Sequence, residues 1–167
     1  QRVLDGIAPI QSLAREFIGK ESVYFLGRHA GYPIALEGAL KLKEISYLHA
    51  EGFPAGELKH GPIALIDQGV PVFVIVPPEG RDMLHDKMVS NIQEIRARGA
   101  CTVVLAEEGD GSVLPYADFH FELPKLPTIL QPLLAIVPLQ MFALELATLR
   151  GSDVDQPRNL AKSVTVE

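Results

Sequence analysis

Three runs in this chain are apolar without alternation: SVYFLG at 22–27, PVFVIVP at 71–77 and CTVVLA at 101–106. A strand with one wet face alternates apolar and polar residues, so unbroken runs of this length belong to strands covered on both faces, as in a parallel sheet between helical layers. The segments between them have the length and pattern of helices, at about 2–18, 32–49 and 81–98, and a short strand FHFEL at 119–123 precedes a long apolar helix over 128–149. Strand and helix in this alternation predict a three-layer α/β/α sandwich on a mainly parallel sheet. No low-complexity linker divides the chain, so residues 1–167 read as one domain. Gly151 stops the last helix and a tail runs over 152–167.

Composition narrows the function classes. Fifteen Lys and Arg against 21 Asp and Glu give a net charge of −6, which argues against a nucleic-acid groove or an anionic membrane surface. The segment TILQPLLAIVPLQMFALELATL is long enough to span a bilayer, but Pro132, Pro138, Gln140 and Glu145 fit a buried core helix better. The single cysteine, Cys101, lies in an apolar run and has no internal disulfide partner, which implies an inert buried thiol and a cytoplasmic setting. The chain opens on Gln1 with no signal-peptide pattern and no initiator Met, as expected of a piece cut from a longer protein.

The helix IALEGALKLKEISYLHA carries the most informative pattern. Glu37, Lys41 and Glu44 are spaced by four and three, which places them on one ridge within an arc of roughly 60°. A solvated ridge of this kind is worth about 0.2–0.5 kcal/mol per ion pair. Ile34, Leu40, Ile45 and Leu48 flank it, however, and charges set among apolar neighbours are costly unless they pair or serve a pocket. A carboxylate balanced between burial and a neighbouring ammonium suits proton transfer beside a carbonyl.

After it, HAEGFPAGELKHGP concentrates functional side chains among glycines and prolines, as expected of a binding loop. His49 and Glu51 form an HxE pair without the cysteine pair that a zinc deaminase needs, so no metal site is expected. His60 fits either a surface loop histidine or an acid–base group working at neutral pH. In the tail, Leu160, Lys162, Val164 and Val166 share one side of an extended segment, so Lys162 is either a snorkelling stem or a desolvated amine able to attack a carbonyl. The loop Gly27–Gly31 between strand and helix lacks the spacing of a nucleotide-binding loop and carries only a weak phosphate signal.

YPIALEGALKLKEISYLHAEGFPAGELKHGP (32–62) and DVDQPRNLAKSVTVE (153–167) closely resemble the glutamine:fructose-6-phosphate amidotransferase (glucosamine-6-phosphate synthase) family, within it the second of two sugar isomerase (SIS) domains. The resemblance implies a five-stranded parallel sheet and a ketose–aldose isomerisation that follows ammonia addition to fructose 6-phosphate, yielding glucosamine 6-phosphate without a cofactor. It implies that Glu44 moves the proton between C1 and C2, and that Lys162 engages the sugar carbonyl through an imine. His60 would assist ring opening from the neighbouring subunit of a homodimer, while Glu37, Lys41 and Ala161 line the site. The family's glutaminase domain, with its catalytic cysteine, and its first SIS domain, with Ser/Thr-rich phosphate loops, have no counterpart in this chain, where Ser46, Ser90 and Ser112 are scattered. Weak sugar-phosphate binding and little turnover are therefore expected of these residues alone. The competing reading is a non-catalytic SIS module that binds phosphosugars for regulation, or a dimerisation module.

Overall fold

A computed structural model describes residues 3–4, 7–79 and 83–160. Among them, β1 (Ser22–Gly27), β2 (His49–Pro54), β3 (Pro71–Ile75), β4 (Cys101–Glu107) and β5 (Phe119–Leu123) form one sheet in the order β2-β1-β3-β4-β5. Every neighbouring pair is parallel, and at the centre Phe25 stands opposite Phe73, which stands opposite Val103. The α-helices are α1 (Ile7–Phe17), α2 (Gly31–Ser46), α3 (Leu84–Arg96) and α4 (Gln131–Leu149). Residues alternate between two cores along each strand. Phe25, Phe73 and Val103 face α1, α2 and α4, whereas Tyr24, Leu26, Val72, Val74 and Val104 face α3 and a 3-10 helix over Ala55–His60. This is the three-layer sandwich that the unbroken apolar runs predict.

The first core is built on aromatic rings. Phe25 and Phe73 stack with centroids 4.9 Å apart and planes 14° from parallel, and Phe142 of α4 closes on Phe73 at 4.7 Å. Phe17 of α1 meets Phe142 edge-on at 6.0 Å, a favoured arrangement of ring quadrupoles. Gly38 lets α2 descend between these elements, since a Cβ there would lie 2.7 Å from Leu139 Cδ1 and 3.1 Å from the Phe25 ring. Helix α4, within a segment long and apolar enough to cross a membrane (Thr128–Leu149), buries Ala135, Leu139, Phe142, Ala143 and Leu146 in this core.

The segment from His49, expected to be a loop, is instead an edge strand followed by 3-10 helices over Ala55–His60 and Pro62–Leu65. Strand β2 pairs only with β1, from Ser22 opposite His49 to Gly27 opposite Pro54, so it needs no apolar run. Among its residues only Ala50 is fully buried. The helix expected to reach about 49 stops at Ser46 because Tyr47 takes the left-handed conformation (φ 59°, ψ 17°). Helix α1 ends at Phe17, α3 ends at Arg96 and β3 ends at Ile75, each one or two residues before the expected end, as helix and strand ends commonly vary.

On the far face, α3 is tied to the loop after β4 by a buried pair. His85 Nε2 lies 2.8 Å from Asp110 Oδ2 with both side chains 3% exposed, and Asp110 Oδ1 accepts a hydrogen bond from Ser112 Oγ at 2.6 Å. Burial opposes the charge on His85, but the hydrogen bond and charge of Asp110 outweigh it and raise the imidazole above 6.5. Burial also opposes the charge on Asp110, yet bonds from Ser112 and His85 hold its carboxyl below 3.8.

Two outcomes follow from this packing. A Cβ on Gly27 would lie 2.1 Å from the Gly31 carbonyl oxygen, a backbone collision that no rotamer relieves. Gly27→Ala should therefore cost about 1–3 kcal/mol or more in urea denaturation. The His85 contribution to stability is complete below pH 6.5 and lost as pH rises through the folded-state value, while that of Asp110 is present above 3.8 and lost as pH falls through its own. The urea midpoint should fall as pH rises above 6.5, and fall less steeply in His85→Gln.

Candidate functional site

The charged ridge of α2 forms as its spacing requires. Lys41 Nζ lies 2.8 Å from Glu44 Oε2 and 3.5 Å from Glu37 Oε1, so one ammonium is shared between two carboxylates. The ridge is not buried as its apolar flanks suggested. The side chains of Glu37, Lys41 and Glu44 are 40%, 34% and 27% exposed, and Leu36 and Leu40 beside them also face outward. Periodicity placed Leu40 on that side of the helix, but the apolar mass that would cover it is not supplied by the described residues. The hydrogen bond to Glu44 raises Lys41 above 10.5; partial burial works against this, and the charges of Glu44 and Glu37 add to it.

At the C-terminal end of α2 the ridge runs into an open groove of about 580 Å³. One wall comes from Leu40, Lys43, Glu44 and Tyr47, and the other from Arg158, Asn159 and Leu160 of the tail. This volume lies in the range of small-molecule sites. Among the described residues, Glu44 Oε1 has no hydrogen-bond partner, so one carboxylate oxygen remains available while Lys41 holds the other. Glu37 and Lys41 stand on the ridge behind the groove rather than in its wall. Lys162 and Ala161 lie outside the described residues.

His60 ends the 3-10 helix whose Ala55 and Leu58 pack in the α3-side core. Its ring is 73% exposed with Nδ1 2.6 Å from Glu57 Oε2, and Lys59 anchors the same turn through Glu94 of α3 at 2.7 Å. Glu44 and His60 therefore occupy opposite layers, and one chain does not bring them together. At the carboxyl ends of β1 and β3, where the strand order reverses, a second cavity is lined by Arg28, His29, Gly31 and Gln131. At about 30 Å³ it is too small for a hexose phosphate. The Arg28 guanidinium is held there by Asn91, which accepts from Nε at 3.2 Å and Nη2 at 2.9 Å.

Among the described residues, no group of three or more His, Cys, Asp or Glu side chains is placed to hold a metal ion. Cys101 opens β4, and burial pushes its thiol up to about 11, which leaves it protonated and unreactive at neutral pH. Tyr47, Lys43 and Arg158 belong to the groove and were not singled out by sequence. The Tyr47–Arg158 contact joins positions 111 residues apart and has no local signature.

A sequence model of the SIS domain matches residues 16–150. The chain belongs to the SIS domain family. Over its whole length this SIS domain is 68% identical to glutamine–fructose-6-phosphate aminotransferase [isomerizing] of Streptomyces coelicolor and 67% identical to the enzyme of that name from Corynebacterium efficiens. It spans 27% of the length of each of these relatives. Among solved structures it is similar to the C-terminal domain of glucosamine-fructose-6-phosphate aminotransferase from Francisella tularensis, with a TM-score of 0.82 and 42% identity, over 92% of this chain and 43% of that one. The five-stranded parallel sheet agrees with the SIS fold that the 32–62 and 153–167 motifs implied.

The shared ammonium has a direct signature. Lys41 should titrate above 10.5, and Glu44→Gln should bring it back toward that value, as read by NMR of the lysine side-chain amines.

Proposed function

We propose that this SIS domain is an isomerase module of a glutamine:fructose-6-phosphate aminotransferase, carrying the ketose–aldose half of glucosamine 6-phosphate synthesis. The observation that carries this is the meeting of Glu44, at the end of the charged ridge, with Arg158–Leu160 of the tail in one groove, at the two stretches where the sequence matches the amidotransferase motifs. In this reading Lys162 condenses with the C2 carbonyl of open-chain fructose 6-phosphate with loss of water, ammonia displaces the lysine to leave an imine at C2, and Glu44 takes a proton from C1 and returns it at C2. Lys41 orients Glu44 by holding Oε2, which leaves Oε1 for the substrate. Glu37 and Ala161 complete the surroundings.

His60 assists ring opening from a second copy of the chain. The placement of His60 and Glu44 in opposite layers supports this, because a homodimer can supply what a single chain does not. Glutamine hydrolysis and most of the phosphate binding are assigned to the glutaminase and first SIS domains of the longer protein, in keeping with the 27% share of the relatives that this chain spans. A cytoplasmic setting goes with phosphorylated sugar substrates and an unpaired Cys101.

In the full-length enzyme, Glu44→Gln and Lys162→Ala should each lower glucosamine 6-phosphate formation by about 10²–10⁴-fold while glutamine hydrolysis persists. Full synthesis after either change would overturn the assignment and leave the non-catalytic module standing. Mixing inactive Glu44→Gln and His60→Ala proteins under subunit exchange should restore about a quarter of wild-type activity, because half the dimers are mixed and each has one intact site. No recovery on mixing would overturn a site shared between two chains.

A further inference from the structure

We propose that Tyr47 is a positioning residue for this reaction: its ring and hydroxyl clamp Arg158 beside the Glu44 groove, four residues ahead of Lys162 in the sequence. The inference rests on the site assignment above and adds a residue which that assignment leaves without a role. Tyr47 follows Glu44 by three positions and holds a left-handed backbone (φ 59°), a conformation that Gly or Asn adopts readily and a bulky side chain does not. A helix stop alone would be served by glycine. What the tyrosine adds is a pair of contacts to one residue of the tail. The Arg158 guanidinium carbon sits 4.0 Å from the ring centroid, and the Arg158 backbone N–H donates to Tyr47 Oη at 2.9 Å. Both residues line the groove that Glu44 faces.

The rest of the tail is shaped to reach this clamp. Gly151 (φ 74°) turns the chain out of α4, and Asp153 Oδ1 then accepts from the backbone N–H groups of Asp155 and Gln156, each at 3.0 Å. Past the clamp, Asn159 (φ 63°) turns it again. Lys162 is four residues beyond Arg158 but eleven beyond Gly151. Four residues span at most about 14 Å, against about 38 Å for eleven. With effective concentration falling as about the −3/2 power of tether length, the shorter tether alone is worth about fivefold. Correct orientation of the amine multiplies this, up to about 10²-fold.

The test uses the full-length enzyme with Tyr47→Gly, Arg158→Ala, Tyr47→Phe and the double variant of the first two. Tyr47→Gly removes the clamp at a position where glycine suits the backbone, so loss of the contact is separated from loss of the fold. The amine of Lys162 condenses with the C2 carbonyl of fructose 6-phosphate with release of water. Borohydride then delivers hydride to the imine carbon and fixes the sugar on Lys162 as a secondary amine, which mass spectrometry locates. Trapping rate is read beside kcat, KM for fructose 6-phosphate and thermal unfolding.

Tyr47→Gly and Arg158→Ala should lower both kcat and trapping at Lys162 by about 5- to 100-fold, with KM changed less than about twofold and thermal stability kept. Tyr47→Phe, which keeps the ring, should lose less, and the double variant should be no worse than the weaker single, since both changes open one clamp. Wild-type kcat and trapping in Tyr47→Gly and Arg158→Ala overturn the clamp. So does a loss that only tracks the unfolded fraction. Lys162→Ala separates the two levels: if it is inactive while the clamp variants are normal, the clamp alone fails, and if it is active, the site assignment fails and the clamp with it.

Discussion

The centre of this sheet has no side that tolerates water. All five residues of β3 are buried, as are Val23, Tyr24, Phe25 and Leu26 of β1, so helices must be laid on both faces. The stacked pair Phe25–Phe73 sets the height at which α4 rests, through Phe142. Helix α2 then has to lie close to β1 and β2, which Gly38 and Gly52 allow; a Cβ on Gly52 would come within 2.9 Å of the Ala35 backbone. With the inner stripe of α2 fixed by Ile34, Ala35, Ala39 and Leu42, its Glu37–Lys41–Glu44 ridge has one direction left, outward, and its C-terminus is held at the sheet edge where the tail returns. The polar chemistry is thus placed by a demand that is wholly apolar.

The same layering separates functional groups as firmly as it gathers them. The groove belongs to the α2 side, and the turn carrying His60 belongs to the α3 side, tied there by Leu58 in the core and by Lys59 to Glu94. The two lie on opposite faces of one continuous five-stranded sheet.

Much of the frame was legible in the sequence. Unbroken apolar runs at 22–27, 71–77 and 101–106 reported strands buried on both sides, and the four- and three-residue spacing of Glu37, Lys41 and Glu44 translated directly into ion pairs because helix geometry is local. Cys101, expected to be buried, is only partly so at the start of β4. Strand β2 was not legible, because an edge strand with HAEGFP borrows its order from β1 instead of announcing it by an apolar pattern. The end of α2 was overshot since its stop signal is a tyrosine in a glycine conformation. The exposure of Leu36 and Leu40 and the meeting of Tyr47 with Arg158 depend on what lies across space, which no window along the chain contains.

Helix α4 is apolar nearly all round. Its inner side packs against α1 and α2, while Leu133 and Leu144 remain 67% and 46% exposed. Before that packing exists, Thr128–Leu149 has the hydropathy and length of a bilayer-spanning segment. What distinguishes it from one is what it meets across space: Phe142 lies against Phe73, and Leu139 fills the gap over Gly38. The identity of this helix as a core element is therefore set by its partners as much as by its composition.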